Sequence, residues 1–97
     1  MLNKVTVSGV IENSKIELIK NKSLYMAQAI LVTQNSKKDQ IRKVKITFYN
    51  EAAKAFVAKQ DIYKTHLCIY YGELSYVESK DTTIVKINET PTIINKI

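Results

Sequence analysis

Ile41-Arg42-Lys43-Val44-Lys45-Ile46-Thr47-Phe48-Tyr49-Asn50-Glu51-Ala52-Ala53-Lys54-Ala55-Phe56-Val57 is the stretch that decides the fold. Its first half alternates. Val44, Ile46 and Phe48 fall on one face, and Lys43, Lys45, Thr47 and Tyr49 on the other. A period of two marks a β-strand with one buried and one solvated side. After Tyr49 the period changes. Asn50 is a good helix N-cap, and Glu51 suits the positive end of a first turn. Ala52, Ala53, Phe56 and Val57 then follow helical spacing, with Lys54 and Lys59 outside. The reading is a strand that runs straight into a helix, about Glu51 to Gln60.

Upstream, Leu2 to Glu12 holds Val5, Val7, Val10 and Ile11 among Thr6 and Ser8 and reads as a first strand. Gly9 interrupts it, which points to a bulge or sharp coil in a long bent strand. Lys15 to Lys20 reads as its continuation after a break at Asn13-Ser14. Asn21-Lys22-Ser23 is a turn signal, and Leu24 to Thr33 is apolar enough for a heavily buried second strand. Gln34 to Gln40 is a solvated loop. Downstream of the helix, Leu67 to Val77 returns to strand character around Gly72, and Thr82 to Asn88 makes a last strand. Pro91 either ends that strand or places it on an edge. Five short strands with one helix between the third and fourth give an all-β chain, a five-stranded OB-fold barrel.

Composition agrees. Thirteen Ile, eight Val, eight Thr, six Tyr and two Phe outweigh six Leu and six Ala, a balance that favours strands. At 97 residues there is room for one domain, residues 1–97. Cys68 is the sole cysteine, which rules out an internal disulfide and any multi-cysteine zinc site. That places the chain most easily in a reducing cytoplasm. Nothing resembles a signal peptide or a membrane span, so no membrane partner is expected. Fifteen basic residues against nine acidic give a net charge of +6. This suits a polyanionic partner, although a Lys-rich surface also serves solubility. Enzyme activity has no support. The carboxylates Glu12, Glu17, Asp61 and Glu73 are scattered, His66 has no nucleophile beside it, and two glycines cannot build a phosphate-cradling loop. No cofactor is expected, and Cys68 reads as an inert core residue.

Three stretches carry a resemblance. Leu2-Asn3-Lys4-Val5-Thr6-Val7-Ser8-Gly9-Val10-Ile11 resembles the first strand of the bacterial single-stranded DNA-binding protein family. Val44 to Phe56 resembles that family's third strand running into its helix, with an aromatic residue closing the strand. Leu67-Cys68-Ile69-Tyr70-Tyr71-Gly72-Glu73-Leu74 resembles its fourth strand. In length and layout the chain is similar to a short, tail-less form, the dimeric primosomal replication protein n. The family's long linker and acidic C-terminal tip, through which its members recruit replication and repair enzymes, are a departure from the pattern: this sequence shows Ile93-Ile94-Asn95-Lys96-Ile97 in their place. There is also no Trp, so stacking must fall to Tyr or Phe. The resemblance implies an OB-fold that binds single-stranded DNA with little sequence preference, in replication, recombination or DNA transfer. It also implies a homodimer or higher homo-oligomer, pairing through the first strand, with replication or DNA-transfer proteins as further partners. RNA binding is open, because stacking and phosphate contacts serve both polymers. The rival is an OB-like interaction subunit that docks on a replication or conjugation complex through Tyr and Ile patches.

For strand binding, the best cluster is Lys43, Lys45, Thr47 and Tyr49: cations for phosphates, a flat ring for bases. The plain alternative is an ordinary solvated strand face. By the resemblance, Tyr49 takes the family's strand-ending aromatic position and Lys43 falls where many members carry Trp. Lys37, Lys38 and Arg42 extend the positive charge into the preceding loop, which in the family grips DNA. Adjacent tyrosines point to opposite faces, and the family pattern puts Tyr70 inward with Cys68, leaving Tyr71 outward. Tyr76 lies beyond Gly72, in a hairpin the family uses for DNA. Tyr25 fits either the core or a loop platform.

Overall fold

The computed structural model describes residues 3–34, 41–80 and 82–97, and these form seven strands, two α-helices and one short 3-10 turn, Glu78–Lys80. The strands are β1 (Lys4–Ile11), β2 (Ile19–Asn21), β3 (Leu24–Gln34), β4 (Ile41–Tyr49), β5 (His66–Val77), β6 (Thr82–Ile87) and β7 (Thr92–Lys96). The helices α1 (Asn50–Ala58) and α2 (Gln60–Thr65) lie between β4 and β5. Long antiparallel pairings join β3 to β4, β1 to β5 and β5 to β6. A short parallel pairing, Ile46↔Val85 and Thr47↔Lys86, joins β4 to β6. β1 closes the ring, because it pairs with β5 from Lys4 to Gly9 and with β3 at Val10 and Ile11. Strands β1, β3, β4, β6 and β5 therefore form a closed five-stranded barrel, an OB-fold. β2 is added to β3 and β7 to β5.

The partner exchange of β1 explains Gly9. At this point the strand leaves β5 for β3, and a Cβ on Gly9 would collide with the Val32 carbonyl oxygen. The sequence signal is thus a close backbone approach at a barrel corner. Lys15 to Lys20 does not continue β1. Its end is β2, which forms a hairpin with β3 across the turn at Lys22-Ser23. Beyond Pro91 the chain pairs once more, as β7.

The inward residues follow the strand period: Ala27, Ala29 and Leu31 on β3, Ile46 and Phe48 on β4, Cys68 and Tyr70 on β5, Val85 and Ile87 on β6. Helix α1 adds Ala53 and Phe56, and α2 adds Tyr63. Four rings link helices to barrel. Phe48 stacks on Phe56 at 4.0 Å and Phe56 on Tyr63 at 5.1 Å, while Tyr70 meets both Phe48 and Tyr63 at its edges. This aromatic column fastens the helices to the barrel. Burial pushes the Tyr63, Cys68 and Tyr70 groups above their ordinary pKa values.

The junction of β4 and α1 differs from the expected N-cap. Tyr49, with extended backbone, holds the cap position without a side-chain bond. Asn50 takes the left-handed conformation, φ 52°, which Asn tolerates better than most residues. Its Oδ1 accepts a hydrogen bond from the Tyr25 amide at 3.3 Å, so the side chain ties the helix start to β3 instead of capping it.

Candidate nucleic-acid interface

The outer face of β3, β4 and β6 gathers most of the predicted cluster. Register sets Met26 beside Tyr49, Gln28 beside Thr47, Ile30 beside Lys45 and Val32 beside Lys43. On the other side of β4, Lys86 lies beside Thr47. Neighbouring strands lie about 4.8 Å apart, so these three strands place their side chains across roughly 10 Å. Along β4, alternate residues are about 6.8 Å apart, which spaces Lys43, Lys45 and Tyr49 along a line. Such a line of cations ending at a ring is what a single strand needs for its phosphates and one base.

Each cation has its own setting. Lys43 is exposed, but its Nζ is 2.7 Å from Glu12 Oε2, so its charge already has a partner. Lys45 is half-buried beside Ile30, and among the described residues it has no carboxylate partner. Lys86 is exposed and holds its Nζ 5.8 Å from the centroid of the Tyr49 ring. That is a cation–π contact, worth about 0.5–1 kcal/mol at an exposed site. Tyr49 is half-buried, with its ring on the same face.

Thr47 departs from the expectation. The alternation puts it on the solvated face, yet it is 0% exposed and its Oγ1 has no hydrogen-bond partner. The reason is the sheet. β4 is flanked on both sides here, and the longer side chains of Gln28 and Lys86 stand in register with the short threonine.

The remaining predicted residues lie elsewhere. Arg42 is exposed at the start of β4, on the opposite side of the strand from Lys43, opposite Thr33. Tyr71 is half-buried and outward on β5, but its hydroxyl bonds Thr92 Oγ1 at 2.8 Å, beside the start of β7. Tyr76 is 58% exposed near the far end of β5, opposite Thr83. Lys37 and Lys38 lie outside the described residues. Tyr70 and Cys68 both point inward at 0% exposure, as expected.

Lys86 is the group the sequence reading lacks; its one signal is a lone cation between the apolar residues Val85 and Ile87, and the parallel β4–β6 pairing gives it meaning. Tyr25, which the sequence leaves open between the core and a loop platform, is half-buried near the turn of the β2–β3 hairpin, with Lys54 Nζ 4.3 Å and Lys20 Nζ 5.4 Å from its ring centroid. Among the described residues there is no group of three or more His, Cys, Asp or Glu side chains placed to hold a metal ion. Among the described residues no helix is long and apolar enough to cross a membrane.

Neither a protein-family model nor any curated protein sequence matches this chain. Solved structures do match. The single-stranded DNA-binding (SSB) domain of a Synechococcus sp. protein superposes with a TM-score of 0.77 at 10% identity, over 95% of this chain and 96% of that one. The mitochondrial single-stranded DNA-binding protein Rim1 of S. cerevisiae gives 0.79 at 14% identity, over 100% and 98%. The second single-stranded DNA-binding protein (SSBb) of Mycobacterium smegmatis gives 0.74 at 16% identity, over 92% and 86%. At such identities the likeness establishes a shared fold.

Proposed function

We propose that this chain is one OB-fold domain that binds single-stranded DNA with little sequence preference, through the outer face of β3, β4 and β6. The observation that carries the proposal is the line Lys43, Lys45 and Tyr49 beside Lys86, on a barrel face open to solvent. Cations meet phosphates, and the Tyr49 ring meets a base, so recognition rests on features every nucleotide shares. The net charge of +6 supports a polyanionic ligand. The near-complete overlap with structures named as single-stranded DNA-binding proteins supports the polymer. The same proposal takes Lys37, Lys38 and Arg42 as further cations for the strand and Tyr71 and Tyr76 of β5 as further rings, outside the β3–β4–β6 face. Replication, recombination or DNA transfer is the setting proposed, with proteins of those processes as partners.

A homodimer belongs to the same proposal. Register pairs β1 with β3 only at Val10 and Ile11, so the edge from Lys4 to Gly9 that faces away from β5 is available to another strand. Light scattering that finds only monomer at tens of micromolar removes this part.

A second reading is favoured by one observation. All of β7 is exposed, and Ile93 and Ile94, each 49% exposed, and Ile97, 76% exposed, form an apolar edge. On that reading the barrel docks on a protein complex. Titration of labelled oligo-dT at moderate salt separates the two: saturable binding supports the first, and none leaves the second. An oligo-U titration run beside it sets DNA against RNA.

A further inference from the structure

Among the described residues, the buried hydroxyls of Thr47 and Tyr70 lack a hydrogen-bond partner of good geometry, and of the two only Tyr70 has the Cys68 thiol as a polar neighbour. A buried polar group without a partner lowers stability and calls for an explanation. Tyr70 has one in packing. Its ring fills the barrel interior against Phe48 and Tyr63, and no ligand reaches it there. Thr47 has no such reason. Valine has the same shape, suits a strand equally well and carries no orphan hydroxyl.

Thr47 faces the other way from Tyr70. Ile46 and Phe48 point into the core, so Thr47 points to the side where Lys45, Tyr49, Gln28 and Lys86 meet. Its register partner on β6 is Lys86, whose ammonium lies over the Tyr49 ring, 5.8 Å from its centroid. A base stacking on that ring must displace the ammonium. The flexible lysine stem then carries the charge to a nearby phosphate, and the cover over Thr47 goes with it.

We propose that the Thr47 hydroxyl is a hydrogen-bonding subsite for the bound strand, closed in the free protein by Lys86 and opened when Lys86 moves to a phosphate. This rests on the single-strand reading above. The hydroxyl donates to an oxygen acceptor of the nucleotide stacked on Tyr49. Lys86 is thus a positioning residue for the stack as well as a phosphate contact.

The test uses wild type, Thr47→Val, Thr47→Ser and Lys86→Met, each measured for melting temperature and for oligo-dT affinity. Thr47→Val is expected to melt higher than wild type, because the orphan hydroxyl is gone, yet to bind roughly 2–10-fold more weakly. Thr47→Ser is expected to melt lower, because a buried methyl is lost, yet to bind like wild type. Lys86→Met is expected to reduce the magnitude of the log–log salt slope by about 0.7. Opposite movements of stability and affinity in the two Thr47 variants are the signature. If wild type binds and Thr47→Val binds equally well, the subsite is overturned and the single-strand reading stands. Weakened binding of Thr47→Val together with a lower melting temperature also overturns it, as a structural effect. If wild type binds no oligo-dT, both fall.

Discussion

The ion pair between Lys43 and Glu12 offers the most revealing perturbation. Their nitrogen and oxygen are 2.7 Å apart, with the lysine side chain 63% exposed and the glutamate 35%. A pair this accessible is screened and contributes about 0.2–1 kcal/mol. Any phosphate that takes Lys43 must first replace Glu12, so the carboxylate weakens strand binding by about that amount. Glu12→Gln keeps the side-chain shape and removes the competitor. Oligo-dT affinity should therefore rise by roughly 1.4–5-fold, the same energy expressed as a ratio. The log–log salt slope should steepen by at most about 0.7, because Lys43 then releases a full counterion on binding a phosphate. Lys45 has no carboxylate partner among the described residues, so Lys45→Ala should flatten the slope by about 0.7 without any change at Glu12. Fluorescence anisotropy of labelled oligo-dT over a series of salt concentrations reads both quantities. If Glu12→Gln leaves affinity and slope at wild-type values while Lys45→Ala flattens the slope, Lys43 is outside the strand's path. If neither variant changes the slope, the phosphates do not follow β4 at all.

Three further outcomes follow from the same geometry. Tyr49→Ala should weaken oligo-dT binding by about 1–3 kcal/mol with the salt slope nearly unchanged, while Tyr49→Phe stays near wild type, because the ring does the stacking; circular dichroism must show that both remain folded. Phe56→Ala breaks the stack with Phe48 and Tyr63 and should cost about 3–5 kcal/mol in urea denaturation, detaching the helices from the barrel. In the fold, Cys68, Tyr63 and Tyr70 hold their protons to higher pH than in the unfolded chain. Their contribution is thus complete at neutral pH and is lost as pH rises past the unfolded thiol and phenol values, about 8.5 and 10. Spectroscopic titration of tyrosinate should show Tyr63 and Tyr70 ionising above the ordinary phenol range, and ionisation of either at its unfolded value in the folded protein would contradict it.

The sequence disclosed what local period can disclose. Alternation from Lys43 to Tyr49 set the two faces of β4 correctly, and Tyr70 and Tyr71 separate inward and outward as their adjacency requires. It stopped where the outcome depends on neighbours distant in the chain. Thr47 has an outward position, but the flanking strands bring Gln28, 19 residues before it, and Lys86, 39 after it, into register on either side of it. Lys43 looked like a free cation because its partner, Glu12, belongs to the segment that follows β1. Asn50 carried a true signal, for a residue of special backbone conformation, and its side chain served β3 instead of the helix. Helix α2 is not legible because Gln60 to Thr65 is too short to show a period, and its Tyr63 joins the core through Phe56 and Tyr70, contacts that no local pattern announces. β7 was missed because a fully exposed strand has no alternation to read.

A map of backbone amide shifts on adding oligo-dT to the isotopically labelled protein locates the bound strand residue by residue. The largest changes are expected on Lys43 to Tyr49, on Gln28 and on Lys86, with the Tyr49 ring protons shielded by a stacked base. Changes confined to β7 around Ile93 and Ile94, or no saturable change at all, would contradict binding on this face.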